Sequence, residues 1–368
     1  MIPFWHSKHF LPYFAIVTLA LLSTGFSVFV ILSSTGSTAH AGVLDSVSEE
    51  VQKVFDQSSD AIVKVRTLGA NTPRAGTGFF IDDQGTILTS YAVVKDADRA
   101  WVEFGEKKVM AEIKAQDLRT NLAMLKIDAG KTPYLKFGDS DKLRTASGLI
   151  SVAYPFNLPL SPDFGLVNGF DVRYRNLFFP TTHIRASLPV SPGQIGGPVL
   201  NSKSEVVGVL VLSIEDGKAC YAIPTNSVKK ILNDFKEFGE ARHGWAGVGV
   251  VEGYADDSGK KPVIISVLYE GTPAETSGLK QGDRLLKVGE REIQHPTDLM
   301  DVSFFSTIGE DMEVTVSRNG KTVTCQLSTT TRPDGSTTIR NRVVPPPSAI
   351  EDSPNLALPV SSEQPVTP

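Results

Sequence analysis

Among the residues whose types and spacing could do chemistry, the segment Ser191-Pro192-Gly193-Gln194-Ile195-Gly196-Gly197-Pro198 stands out. Its glycines let the backbone turn sharply and aim N–H groups at a developing negative oxygen. Such a turn stabilises an oxyanion but does not create one. Attack on a carbonyl needs a nucleophile, a base to take its proton, and a carboxylate to orient the base. The chain has six histidines: His6, His9, His40, His183, His243 and His295. Only His183 lies on the stretch leading into the turn. It sits on the alternating segment 181–186, where a lone His reads as structural. Ser187 and Ser191 are close by but have no evident base. Cys220 and Cys325 read as buried strand residues in different domains, with no disulfide and no metal-ligand cluster between them. No metal or other cofactor is expected.

Three further segments give the turn a context. Gly76-Thr77-Gly78-Phe79-Phe80-Ile81-Asp82-Asp83-Gln84-Gly85 continues into Thr86-Ile87-Leu88-Thr89-Ser90-Tyr91-Ala92-Val93-Val94. Asp117-Leu118-Arg119-Thr120-Asn121-Leu122-Ala123-Met124-Leu125-Lys126-Ile127 follows, and then Val152-Ala153-Tyr154-Pro155-Phe156-Asn157-Leu158. In order and spacing the four segments resemble the HtrA (Deg) family of trypsin-like serine proteases over residues 50–240. The family's catalytic His, Asp and Ser fall on Ala92, Asn121 and Ile195. Tyr91, beside the His position, reads as a packing residue. The resemblance implies a double β-barrel. The three departures imply a lost triad, with Gly193, Gln194 and Ile195 as the remnant of an oxyanion loop. Ile195 is expected to project where an acyl group would sit.

The elements that position these segments read as follows. Strands are expected at 62–66, 101–104, 109–114, 122–127, 149–153 and 206–213, separated by Gly, Pro and Asp/Asn turns. Residues 43–58 read as an amphipathic helix. At 226–238, Val228, Ile231, Leu232, Phe235 and Phe238 recur at helical spacing. Thr225 or Asn226 is the expected cap and Gly239 the stop. The expected domains are 1–42, 43–240, 241–330 and a Pro/Ser/Thr-rich tail at 331–368.

Past the helix, His243-Gly244-Trp245-Ala246-Gly247-Val248-Gly249 and the long run Gly271-Thr272-Pro273-Ala274 to Gly278-Leu279-Lys280-Gln281-Gly282-Asp283 resemble a PDZ domain. That resemblance implies a groove between Trp245, Ala246, Gly247, Val248 and a helix at 296–306. There an added peptide strand would be held by its C-terminal carboxylate. Ala246 stands where the family usually has a larger apolar residue. A PDZ fold used only for internal packing is the rival reading.

Composition narrows the function classes. The chain has 368 residues, a net charge of −5 and no long basic run, which argues against nucleic acid as a partner. From Phe10 to Gly42 there is no Asp, Glu, Lys or Arg. Residues 10–32 are apolar for about the 20 residues that a bilayer crossing needs. Lys8 lies before this run and Asp45 after it, which points the domains outward from the cytoplasm. A cleaved signal segment ending near Ala41 is the alternative. Together these features predict a mostly β, membrane-anchored, extracytoplasmic protein with a trypsin-like double barrel and a PDZ domain. They predict a catalytically inactive binder of unfolded or C-terminal peptides, not an enzyme. The resemblance adds a homo- or hetero-trimer with HtrA-type paralogues. Two alternatives are an active serine endopeptidase with a relocated site and a chaperone that binds clients on the barrel.

Overall fold

The structure is a computed structural model, and it describes residues 42–68, 73–97, 99–255 and 259–331. The described residues open with helix α1 (Val43–Ser58). A first barrel then closes through β1 (Ile62–Leu68), β2 (Pro73–Phe80), β3 (Thr86–Ser90), β4 (Ala100–Phe104), β5 (Lys107–Asp117) and β6 (Leu122–Lys126), with the four-residue helix α2 (Tyr91–Val94) after β3. Its strand order is β1-β2-β3-β6-β5-β4, and β1 pairs with β4 to complete the ring. A closed ring leaves no unpaired edge.

The second barrel comprises β7 (Gly148–Ala153), β8 (Ser161–Tyr174), β9 (Leu177–Ala186), β10 (Pro198–Leu200), β11 (Val206–Ile214) and β12 (Ala219–Pro224), in the order β10-β11-β12-β9-β8-β7. The two-residue period of a strand sorts apolar side chains between two cores. Phe80, Ile87 and Leu125 fill the first barrel. Their neighbours Phe79, Leu88 and Leu122 turn the other way and join Ile150, Val152 and Val209 between the barrels. This shared apolar layer holds the two barrels together, so both sides of the central strands are apolar.

Helix α3 (Thr225–Phe238) buries Val228, Ile231 and Phe235 against that layer. Gly239 ends it at φ 76, where its N–H donates to the Phe235 carbonyl. The start differs from expectation, because neither Thr225 nor Asn226 caps it. The Thr225 hydroxyl turns inward to the Val206 carbonyl, and the Asn226 N–H donates instead to Ser140 Oγ from a distant loop.

The remaining elements form a sheet in the order β13-β14-β15-β17-β18. These are β13 (Val248–Glu252), β14 (Val263–Leu268), β15 (Arg284–Val288), β17 (Asp311–Arg318) and β18 (Lys321–Ser328). The short β16 (Arg291–Glu292) pairs with β15, and helices α4 (Pro273–Thr276) and α5 (Pro296–Phe305) complete the unit. Helix α5 also packs on β9 of the second barrel. The Asp301 carboxylate accepts from Thr181 Oγ1 at 2.8 Å, from the Thr182 N–H at 2.9 Å and from Thr182 Oγ1 at 2.8 Å.

No helix among the described residues is long and apolar enough to cross a membrane. The expected span 10–32 lies outside the described residues, as does the tail from 332 onward.

Candidate active site and peptide groove

Two of the singled-out positions meet at the junction of β3 and β6. Asn121 has φ 57, a left-handed conformation that Asn tolerates better than most residues. The preceding turn is tied by Asp117, whose carboxylate accepts from the Arg119 N–H, the Thr120 N–H and the Thr120 hydroxyl. Asn121 Oδ1 accepts from the Ala92 N–H at 2.9 Å and from Ser90 Oγ at 2.9 Å. Its Nδ2 donates to the Val211 carbonyl at 2.8 Å, across to the second barrel. A carboxylate at this position would have no proton for Val211. The side chain therefore works as a bridge between barrels, and an amide suits it.

The glycine turn lies against β2. The Thr77 N–H donates to the Ile195 carbonyl at 3.0 Å, and the Thr77 hydroxyl donates to the Gly193 carbonyl at 2.8 Å. Gly196 has φ 89, and a Cβ there would lie 2.3 Å from the Thr77 carbonyl. Gly193 has φ 97, and its Cβ would meet the Tyr154 carbonyl at 2.5 Å. Only glycine fits either place. Gln194 is buried. Its Oε1 accepts from the Ser191 N–H and its Nε2 donates to Asp163. Burial pushes the Asp163 carboxyl up, against the opposing pull of the Gln194 amide. Among the described residues nothing accepts from the N–H groups of Gly193 or Ile195. These are the two donors an oxyanion would need. The Ile195 side chain packs against the core of the second barrel. Ala92, Asn121 and Ile195 supply neither a base nor a nucleophile.

The histidines lie elsewhere. His183 is buried and stacked on Phe179 at 4.3 Å, with Nδ1 2.8 Å from the Thr181 carbonyl. Burial lowers its pKa to about 4. His243 was read from sequence only as the start of the PDZ motif. The fold places its Nε2 3.9 Å from Asp117 Oδ2, with the ring stacked on Phe304 at 5.0 Å. The distance makes this an electrostatic contact, and both ring nitrogens are buried without a hydrogen bond. Burial pushes the Asp117 carboxyl up, but the His243 ring and the Thr120 hydrogen bonds outweigh it and hold it below the usual carboxylate range. No sequence spacing signals this pair, because Asp117 ends β5 of the first barrel while His243 lies in the segment between α3 and β13. Burial raises the Cys220 thiol to about 12, which leaves it inert. Among the described residues no group of three His, Cys, Asp or Glu could hold a metal.

Trp245, Ala246, Gly247 and Val248 come together at the mouth of the C-terminal sheet. Trp245 pairs with Thr330 through two backbone hydrogen bonds. The carbonyls of Ala246 and Gly247 accept from Ala274 and Tyr269. Gly247 has φ 78, and its missing Cβ would strike Thr272 at 2.3 Å. Among the described residues nothing accepts from the Ala246 or Gly247 N–H, which leaves two donors beside the groove. Between this loop, β13 and α5 lies an apolar pocket of about 70 Å³, reaching Leu285, Val288 and Leu327. A wider cleft of about 710 Å³ adjoins it, walled by Val248 and Leu299 on one side and by Leu177 and Phe178 of β9 on the other.

Comparison with known proteins agrees with this architecture. A family described as trypsin-like peptidase domain matches residues 76–209, and a PDZ domain family matches residues 246–329. A protein of Pseudomonas putida named "probable periplasmic serine endoprotease DegP-like" is 30% identical over 270 residues, covering 70% of this chain and 56% of that protein. A Synechocystis protein named "putative serine protease HhoB" is 26% identical over 268 residues, covering 67% of this chain and 64% of that protein. The chain thus spans little more than half the length of the curated relatives it matches. Among solved structures, the HtrA-type protease AlgW with a tripeptide superimposes with a TM-score of 0.69 at 22% identity, covering 78% of this chain and 99% of that one. A serine endoprotease from Yersinia pestis gives 0.60 at 22% identity, covering 77% and 98%.

These findings correct one expectation. The relatives carry the names of serine endoproteases, which overturns the reading of this chain as a catalytically inactive non-enzyme. What the residues and the comparisons agree on is that residues 76–209 match a trypsin-like peptidase domain and residues 246–329 a PDZ domain, in a chain similar to HtrA- and DegP-type proteases.

Proposed function

We propose that this protein is an extracytoplasmic serine-type endopeptidase that selects polypeptide substrates through its PDZ groove. The carrying observation is the glycine turn at 193–197. It keeps two free backbone donors on a barrel scaffold shared with relatives named as periplasmic endoproteases. Donors so placed stabilise the tetrahedral oxyanion of acyl transfer, and one such donor is worth about 10²–10³ in turnover. The nucleophile comes from a hydroxyl other than position 195. Candidate hydroxyls are those of Thr77, which donates to the Gly193 carbonyl, of Ser90, which donates to Asn121 Oδ1, and of Ser191, two residues before Gly193. The domain limits 43–240 and 241–330, a membrane anchor at 10–32 and assembly as a trimer belong to the same proposal.

Degradation of casein by the purified full chain tests it, beside a variant carrying Ala92→His, Asn121→Asp and Ile195→Ser. A fluorophosphonate probe, located by mass spectrometry, reports the reacting residue. The expected result is slow cleavage by the natural sequence, with the probe on a hydroxyl outside position 195. If the triple variant cleaves while the natural chain neither cleaves nor takes the probe, the endopeptidase reading fails and peptide capture alone remains.

A further inference from the structure

We infer that Gln194 and Asp163 are positioning residues of the glycine turn. The Asp163 carboxylate fixes which way the Gln194 amide faces, and that amide fixes the turn that aims the N–H groups of Gly193 and Ile195. This inference rests on the proposed reading of those two donors as the oxyanion site. Three observations carry it.

The first is how the donors are aimed. In a trans peptide the carbonyl and the N–H point in opposite directions, so each donor is steered by the carbonyl of the residue before it. The Pro192 carbonyl accepts from the Phe156 N–H at 2.6 Å, and the Gln194 carbonyl accepts from the Gly197 N–H at 3.0 Å. These bonds turn the N–H groups of Gly193 and Ile195 the other way. Gln194 lies between the two donors, and its backbone carries one of the steering carbonyls.

The second is the ring that Gln194 closes. Its N–H donates to the Ser191 carbonyl at 3.1 Å, and its side-chain Oε1 accepts from the Ser191 N–H at 2.6 Å. The two reciprocal bonds hold the ends of the turn together. They use up the Ser191 N–H and leave those of Gly193 and Ile195 open.

The third is polarity. An amide accepts at its oxygen and donates at its nitrogen, and half a rotation exchanges the two. Turned the wrong way, Gln194 would set Nε2 against the Ser191 N–H, donor against donor. Asp163 on β8 opposes this, because an ionised carboxylate only accepts. Its Oδ2 takes the Nε2 hydrogen at 2.7 Å. Gln194 is 2% exposed, so water is a poor substitute for either partner. Ser151, opposite Asp163 in the β7–β8 register, is buried and its hydroxyl does not share the carboxylate. Donors held in place beforehand need no rearrangement during reaction, and one such donor is worth about 10²–10³ in turnover.

The experiment is a double-mutant cycle in the full chain at neutral pH. Gln194→Glu still accepts from the Ser191 N–H but sets a second carboxylate against Asp163, and like charges so close repel. Adding Asp163→Asn supplies an amide donor and restores the pair with its polarity reversed. Each variant is checked for folding by its thermal transition. The readouts are the backbone amide resonances of Gly193 and Ile195 and the rate of fluorophosphonate labelling. Gln194→Glu is expected to move both resonances and to slow labelling by about tenfold or more. The double variant is expected to bring the resonances back and to recover most of the rate. Resonances that stay in place in Gln194→Glu, or a folded double variant that is not rescued, overturn the inference. If Gln194→Glu does not fold, Asp163→Ala replaces it. That change leaves Nε2 without an acceptor, so hydrogen exchange at the Ser191 N–H should quicken about tenfold, and unchanged exchange overturns the inference. A natural chain that takes no label overturns the endopeptidase reading alone, because the resonances still decide whether Asp163 and Gln194 hold the turn.

Discussion

Folding strips His183 of its proton. The imidazole is buried, stacked on Phe179, and its pKa falls to about 4 from an ordinary 6.5. The unfolded chain binds the proton first, so stability is fullest above about pH 6.5 and is lost as pH falls toward 4. The shift corresponds to about 3 kcal/mol across that window. Urea unfolding of the full chain between pH 7 and 4 should show this loss, and His183→Leu should flatten the curve. The sequence had marked His183 as a structural residue, because an isolated His on an alternating strand has no partner in sight. Asn121 was less legible. Its role as a bridge depends on the Val211 carbonyl, which belongs to the other barrel. The Asp117–His243 contact was hidden because its partners lie far apart in the chain, one at the end of β5 and the other past α3.

Among the elements, those with a clean two-residue or 3.6-residue period were readable. Expectations at 62–66 and 101–104 became β1 and β4, and the helix at 226–238 became α3. The long β8 was not anticipated. Pro162, Gly165 and Gly169 interrupt its pattern, and it survives because β7 and β9 pair with it on either side. Caps were the other gap. Ser140 serves α3 from outside it, which no local motif announces. Ser140→Ala should cost about 1 kcal/mol, as other lost caps do, with α3 loosened first. Hydrogen exchange at Ser227 and Val228 would show it; unchanged protection would mean that the buried face of α3 sets the helix start by itself.

In the whole molecule, the peptidase barrels and the PDZ unit are joined by a buried carboxylate as well as by a linker. Asp301 takes three hydrogen bonds from Thr181 and Thr182 and lies 3.3 Å from Arg291. Asp301→Ala leaves those donors without an acceptor, which typically costs about 1–3 kcal/mol. The expected outcome is a lower thermal midpoint and faster cleavage by an added protease near Gly239. Two separate transitions would show that the carboxylate alone makes the halves unfold together. Domain arrangement was foreseeable from the motif order, but this joint was not, since neither threonine nor the aspartate belongs to any motif.

Helix α5 has a consequence for anyone treating the C-terminal unit as an interchangeable part. The same ten residues wall the peptide pocket with Leu299 and bolt the unit to β9 with Asp301. A graft of residues 241–330 onto another barrel would carry the pocket but leave its anchor behind. Such a chimera should hold peptides less firmly unless Thr181 and Thr182 are transplanted with it.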